Sequence, residues 1–278
     1  MDHENPLGVR AGHLYIDAVQ LLERERELET LRVAVRQVAA GGQGAGFALT
    51  GDSGAGKSAL VEAVCAEAGD LRVLRGHCDP LNTPRPLGPF RDLAVPGLED
   101  IGQADLLLSE VCEQVYAALR TEPTVLVVED LHWVDAASVD VLRFLARRVE
   151  SMPLVLLMTY RDLEIDPRHS ARVLLGDVAA LDGLSTLALR PLTVDGVKHH
   201  VHGTGLDAGR VHAVTGGNPF FVTAVTREPD LPMPGSVRAW MQKASCTKAS
   251  FLPRRTGSSG WISSKPAASK SWSMGKPR

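Results

Sequence analysis

The sequence predicts an α/β fold: a parallel sheet flanked by helices, then a small C-terminal helical lid and a disordered tail. Three observations predict it. Two short apolar runs, Thr124–Val128 and Leu154–Thr159, read as strands buried on both faces, as in parallel sheets. Stretches with helical periodicity alternate with them along the chain. The composition then changes abruptly near residue 241.

The elements follow in order. Residues 1–20 show no period and read as a lead-in. Leu21–Ala40 reads as a helix, because Leu28, Leu31, Val35 and Val38 recur at three- and four-residue steps. Gly41–Gly46 ends it. Phe47–Thr50 is a short strand and 51–56 a glycine-rich loop. Lys57–Ala68 is a helix with Leu60, Val61 and Val64 on one side, and Leu71–Arg75 a second strand. Asn82–Pro89 is proline-rich and reads as a loop. Gln103–Leu119 is helical, with Leu107, Leu108, Val111 and Val115 expected to face inward. After the strand at 124–128, Ala136–Val149 is a helix for which Asp135 is a candidate cap. Leu154–Thr159, the helix His169–Leu181 and the strand Thr186–Leu189 complete the sheet domain. Short helices at 193–202, 206–214 and 215–225 follow. The expected division is therefore 1–20 lead-in, 21–190 sheet domain, 191–240 incomplete helical lid and 241–278 tail.

Composition narrows the function classes. Of 278 residues, 44% are hydrophobic and 23% charged, as in ordinary globular proteins. No apolar run has the length of a membrane span, and Met1–Arg10 has no secretory pattern, so a cytoplasmic location is expected. Cys65, Cys78, Cys112 and Cys246 form no C-x-x-C pair and read as reduced packing residues. His199, His200 and His202 read as a solvated helix face. The net charge of -3 hides an asymmetry: residues 241–278 hold eight bases and no acid, leaving -11 for the remainder. An acidic body of this kind does not look like a nucleic-acid reader.

The most specific signal is Gly51-Asp52-Ser53-Gly54-Ala55-Gly56-Lys57-Ser58, which fits G-x-x-x-x-G-K-[ST]. The glycines let the backbone turn its N–H groups inward as an anion cradle, and the following helix adds its positive end. In such a P-loop, Lys57 reaches the β- and γ-phosphates and Ser58 ligates Mg²⁺. The motif follows a strand and opens a helix, as a P-loop NTPase sheet requires. It predicts ATP or ADP with Mg²⁺ as the ligand. A carboxylate ending a neighbouring strand should hold the hydrated metal, and Val125-Leu126-Val127-Val128-Glu129-Asp130 supplies two. Glu129 is assigned to the metal and Asp130 to the attacking water, with the exchanged assignment left open. Arg161, which ends the next strand, is placed to sense or stabilise the γ-phosphate.

Together these segments resemble the nucleotide-binding domain of the STAND class of signal-transduction ATPases. More narrowly, they resemble the AAA-type ATPase region of large LuxR-family bacterial transcriptional regulators. The resemblance rests on Leu21–Leu28, the P-loop, Cys78-Asp79-Pro80 with Pro84–Pro89, Glu129-Asp130-Leu131-His132-Trp133-Val134-Asp135, and Thr215-Gly216-Gly217-Asn218-Pro219-Phe220-Phe221-Val222. It implies a regulatory switch that exchanges ADP for ATP, self-associates in the ATP form and hydrolyses slowly. It also implies that Pro219 in the lid packs near the adenine, that the segment around Arg24 lines the other side of the base, and that Arg161 is the sensor. Large regulators of this kind continue through helical repeats to a helix-turn-helix. Here the likeness stops after Ala239, and no DNA-reading module is visible. The Ser/Lys/Trp-rich stretch beyond reads either as a frame-shift product or as a natural basic tail. Two other functions stay open: a stand-alone ATPase of the origin-recognition or loader kind, and a nucleotide-binding module without turnover.

Overall fold

The computed structural model describes residues 21–81, 83, 85–99, 101 and 106–227. The lead-in, the tail with Cys246 and the segment Pro234–Ala239 lie outside the described residues.

Helix α1 (Glu25–Ala39) turns Leu28, Leu31, Val35 and Val38 inward. It leads into β1 (Ala45–Thr50), the P-loop and α2 (Lys57–Ala66). β2 (Arg72–His77), a single turn α3 (Gly88–Arg91) and α4 (Leu108–Leu119) follow. β3 (Thr124–Glu129), α5 (Ala136–Ala146), β4 (Leu154–Tyr160), α6 (Ala171–Ala180) and β5 (Leu184–Ala188) complete the sheet domain. The lid consists of α7 (Val194–His200), α8 (Ala208–Thr215) and α9 (Pro219–Arg227).

All strand pairings are parallel, in the order β2-β3-β4-β1-β5. Because strand side chains alternate between faces, β1, β3 and β4 feed two cores at once. Phe47, Leu49, Val125, Val127, Val155 and Leu157 pack with α1 and α2. Ala48, Leu126, Val128, Leu156 and Met158 pack with α4, α5 and α6. This explains why β3 and β4 are apolar without alternation: every one of their positions is buried. A separate small core of Leu192, Val197, Val201, Val211 and Val222 holds the lid together. Among the described residues no helix is long and apolar enough to cross a membrane.

Two expectations need correction. The helix expected over 103–119 begins at Leu108, and neither Leu107 nor Leu108 is buried, being 66% and 37% exposed. Leu107 is extended and its N–H donates to the Glu110 carboxylate (2.9 Å), so the first turn is fixed by that cap and the inward stripe starts only at Val111. The expected loop Asn82–Pro89 ends in the helical turn α3, which lies against β2; a Cβ on Gly76 would sit 2.1 Å from the Pro89 carbonyl oxygen.

Asp135 caps α5 as expected, and it also does more. Its Oδ1 accepts from the Ser138 N–H (2.9 Å) and, across the structure, from the Leu87 N–H (3.1 Å). Asp135→Ala removes the cap and strands a part-buried N–H, so it should destabilise the fold by about 1–3 kcal/mol. Thermal denaturation checks this; an unchanged melting temperature would contradict the double role.

Candidate functional site

The site is built on the C-terminal ends of β1, β3 and β4. The loop after β1 turns through positive φ at Gly54 (78°) and Gly56 (94°), a region that side chains disfavour. Gly56 precedes Lys57, the first residue of α2. The buried Lys57 Nζ donates to the carbonyls of Gly51 (2.8 Å) and Asp52 (3.1 Å). Burial, and then the nearby Arg161, hold its ammonium below the ordinary lysine value, against the pull of Asp130, Asp52 and Glu164. Phosphate oxygens at that position would favour the charged ammonium against burial.

Ser58 Oγ donates to Glu129 Oε2 at 3.2 Å. A hydroxyl beside a carboxylate is a hard-oxygen donor set suited to Mg²⁺. Asp130, next in the chain, has positive φ (62°), and its N–H donates to Thr159 Oγ1 (3.0 Å). Its carboxylate faces the cavity next to Arg161, whose guanidinium is bonded to Glu164 (2.8 Å).

The strand order corrects one expectation. The acids were expected on a strand neighbouring the P-loop strand, but β4 lies between β1 and β3. The neighbour of β1 on that side, β4, delivers Thr159, with Arg161 directly after its end. The acids come from one strand further out, and Glu129 reaches Ser58 because the parallel strands end at the same edge of the sheet.

A cavity of about 630 Å³ joins these groups to the lid. The loop side contributes Ser53, Gly54, Gly56, Lys57, Ser58 and Ala59; Asp130, Thr159 and Arg161 form the floor; Pro219, Phe220, Thr223, Ala224 and Arg227 of α9 form the opposite wall. Gly51, Asp52 and Ala55 belong to the loop but do not line the cavity.

The lid touches the loop directly. Asn218 Nδ2 donates to the Ser53 carbonyl (2.8 Å), and the Phe220 N–H donates to Asn218 Oδ1 (3.1 Å) and to the Gly54 carbonyl (3.3 Å). Gly54 permits this approach: a Cβ there would lie 2.7 Å from Phe220 Cβ and 2.8 Å from Asn218 Oδ1.

Arg24 is buried, but behind the loop. Its guanidinium donates to the carbonyls of Ala55 (3.3 Å), Glu23 (2.9 Å) and Arg190 (2.5 Å). The neighbouring Glu23 carboxylate accepts from the N–H (2.8 Å) and hydroxyl of Thr193 at the start of α7. Arg24 thus braces the P-loop and the lid junction; it lines a second groove, with Glu23, Glu27 and Arg190, and not the cavity. Sequence reasoning assigned no site role to Asn218, Phe220, Thr223 or Arg227, and named Thr159 only as part of the sensor segment with Arg161. Of these only Asn218 left a signal: an Asn just before a helix is a common backbone-bonding position.

A family model described as an AAA ATPase domain matches residues 20–158. No curated protein matches the chain. Among solved structures, Cdc6p from Pyrobaculum aerophilum aligns with a TM-score of 0.52 and 15% identity, over 82% of this chain and 64% of its own. A Walker-type ATPase of Pyrococcus abyssi aligns with a TM-score of 0.50 and 14% identity, over 85% and 77%. A STAND protein with a tetratricopeptide repeat sensor from Pyrococcus horikoshii gives 0.48 and 15%, over 80% of this chain but 32% of that one. At such identities the first two establish the fold alone, and the third adds no weight.

Proposed function

The chain belongs to the AAA ATPase domain family, and from that premise we propose that it is an ATP-dependent regulatory switch, the nucleotide-binding part of a LuxR-type transcriptional regulator. The observation that carries the switch reading is the contact of Asn218 with the Ser53 carbonyl. A ligand held by the P-loop is then felt by the lid, because loop and lid share hydrogen bonds and one cavity. The narrower regulator reading rests on the segments Glu129–Asp135 and Thr215–Val222.

In this reading Lys57 binds the β- and γ-phosphates, and Ser58 and Glu129 hold Mg²⁺, which when bound offsets phosphate charge. Asp130 orients and polarises the attacking water, and Arg161 meets the terminal phosphate. The apolar lid wall formed by Pro219, Phe220 and Ala224 shields the nucleotide from solvent. Self-association in the ATP form and slow turnover belong to the same proposal.

The test is the lid contact. Asn218→Ala removes the bond to the Ser53 carbonyl together with the side-chain acceptor of the Phe220 N–H, and leaves the P-loop residues intact. ADP release should accelerate about tenfold, the effect of roughly 1.4 kcal/mol. Stopped-flow release of a fluorescent ADP analogue measures it. Identical release from wild type and variant would remove the lid from the nucleotide's control and with it the switch.

A further inference from the structure

Glu23 has φ of 58°, in the left-handed region that glycine favours. Among the described residues, only Leu87 and Asp130 do the same without being glycine. Conversely, a glycine stands at 196 inside helix α7, although glycine is a poor helix former. Each residue looks misplaced alone, and one contact accounts for both. A Cβ on Gly196 would lie 2.6 Å from Glu23 Oε1 and 2.7 Å from Glu23 Cδ. The glycine therefore leaves room for a carboxylate against the first turn of α7.

The Glu23 carboxylate occupies that room. Its Oε2 accepts from the Thr193 N–H (2.8 Å) and its Oε1 from the Thr193 hydroxyl, which itself accepts from the Gly196 N–H (3.1 Å). Burial opposes the charged form, but the Thr193 bonds, Arg24 and the Gly196 N–H outweigh it and hold the carboxyl below the ordinary glutamate value. The residues on either side reach other parts of the molecule. Leu21 packs on the core shared by α1, α2 and the sheet, and Leu22 on the lid core. Arg24 holds the Ala55 carbonyl of the P-loop and the Arg190 carbonyl between β5 and α7. Local inconsistencies of this kind concentrate at functional sites.

We propose that Glu23 is a positioning residue, a latch that fixes the first helix of the lid relative to the P-loop and so slows nucleotide release; the inference rests on the switch reading above. The left-handed backbone at 23 lets adjacent side chains serve two bodies: Glu23 holds α7, and Arg24 holds the loop. While the carboxylate caps α7, the lid stays seated over the cavity. When it leaves Thr193, α7 loses its tie to the P-loop side, and the lid can swing without breaking the loop.

The test measures stopped-flow release of a fluorescent ADP analogue from wild type, Glu23→Gly, Glu23→Gln, Gly196→Ala, the double variant Glu23→Gly with Gly196→Ala, and Asn218→Ala, with circular dichroism as the check on folding. Glu23→Gly eases the backbone but deletes the carboxylate, so release should accelerate about fivefold, the effect of one hydrogen bond. Glu23→Gln, whose amide oxygen can still accept from the Thr193 N–H, should keep most of the slow release. Gly196→Ala suits the helix, but its methyl displaces the carboxylate, so it should accelerate release as Glu23→Gly does. The double should release no faster than the faster single, because both changes remove the same contact. Wild-type release from Glu23→Gly or Gly196→Ala, release from Glu23→Gln as fast as from Glu23→Gly, or additive acceleration in the double overturns the latch. If Glu23→Gly fails to fold, Gly196→Ala and Glu23→Gln decide: fast release from the first with slow release from the second supports the latch, and any other pair overturns it. Faster release from Asn218→Ala with wild-type release from both Glu23→Gly and Gly196→Ala defeats the latch alone. Wild-type release from Asn218→Ala defeats the switch reading, and the latch falls with it.

Discussion

Lys57→Ala is expected to weaken ATP and ADP binding about a hundredfold, since charge-assisted hydrogen bonds to a phosphate contribute roughly 1.5–3 kcal/mol. The argument starts from where Nζ sits. It is buried, bonded to the Gly51 and Asp52 carbonyls, and pushed toward its neutral form by burial and by Arg161. Two neutral carbonyls compensate a buried ammonium poorly, so the loop is poised for an anion. Removing the ammonium takes away the one cation that sits within the loop itself, since Arg161 and Arg227 reach the cavity from the end of β4 and from α9. The fold should survive, because alanine is an excellent helix former at the start of α2. Isothermal calorimetry measures the loss, with circular dichroism as the check on folding. Equal affinity in a folded Lys57→Ala chain would sink the P-loop assignment.

What could be read from sequence was what is local in sequence. Gly51–Ser58 and Glu129–Asp130 are contiguous, so their chemistry is visible without tertiary knowledge. β3 and β4 were recognisable because burial on both faces demands uninterrupted apolar residues. The strand order was not readable: nothing in the run Leu154–Tyr160 says that it inserts between β1 and β3. The bond between Asn218 and Ser53 joins residues 165 positions apart, and its geometry arises only when the lid core docks on the loop. Arg24 illustrates a subtler limit. Its segment was expected to line the far side of the base; what the structure describes is a guanidinium bonded to the carbonyls of Ala55, Glu23 and Arg190, and the bonds to Ala55 and Arg190 span 31 and 166 positions, which no local pattern announces. The start of α4 was misread because an apolar pair, Leu107 and Leu108, extended the helical pattern past the point where Glu110 caps the chain.

Asp130→Asn should reduce kcat for ATP hydrolysis by about 10²-fold or more while nucleotide affinity stays near wild type. A carboxylate that orients and polarises water acts mainly in the transition state, so its loss appears in turnover and not in ground-state binding. The substitution is a clean one here. Asp130 has φ of 62°, and Asn tolerates that left-handed conformation as Asp does. Its N–H bond to Thr159 is made by the backbone and survives the change. Glu129→Gln is the necessary comparison. The Glu129 carboxylate is the one that meets Ser58 Oγ at 3.2 Å, so its neutralisation should weaken Mg²⁺-dependent binding first. Steady-state turnover combined with calorimetry at saturating and limiting Mg²⁺ separates the two carboxylates. The reverse pattern, with Asp130→Asn losing binding and Glu129→Gln losing only turnover, would exchange their roles. A wild-type kcat in Asp130→Asn would mean that the water is activated elsewhere, and the two acids at the end of β3 would then serve the metal alone.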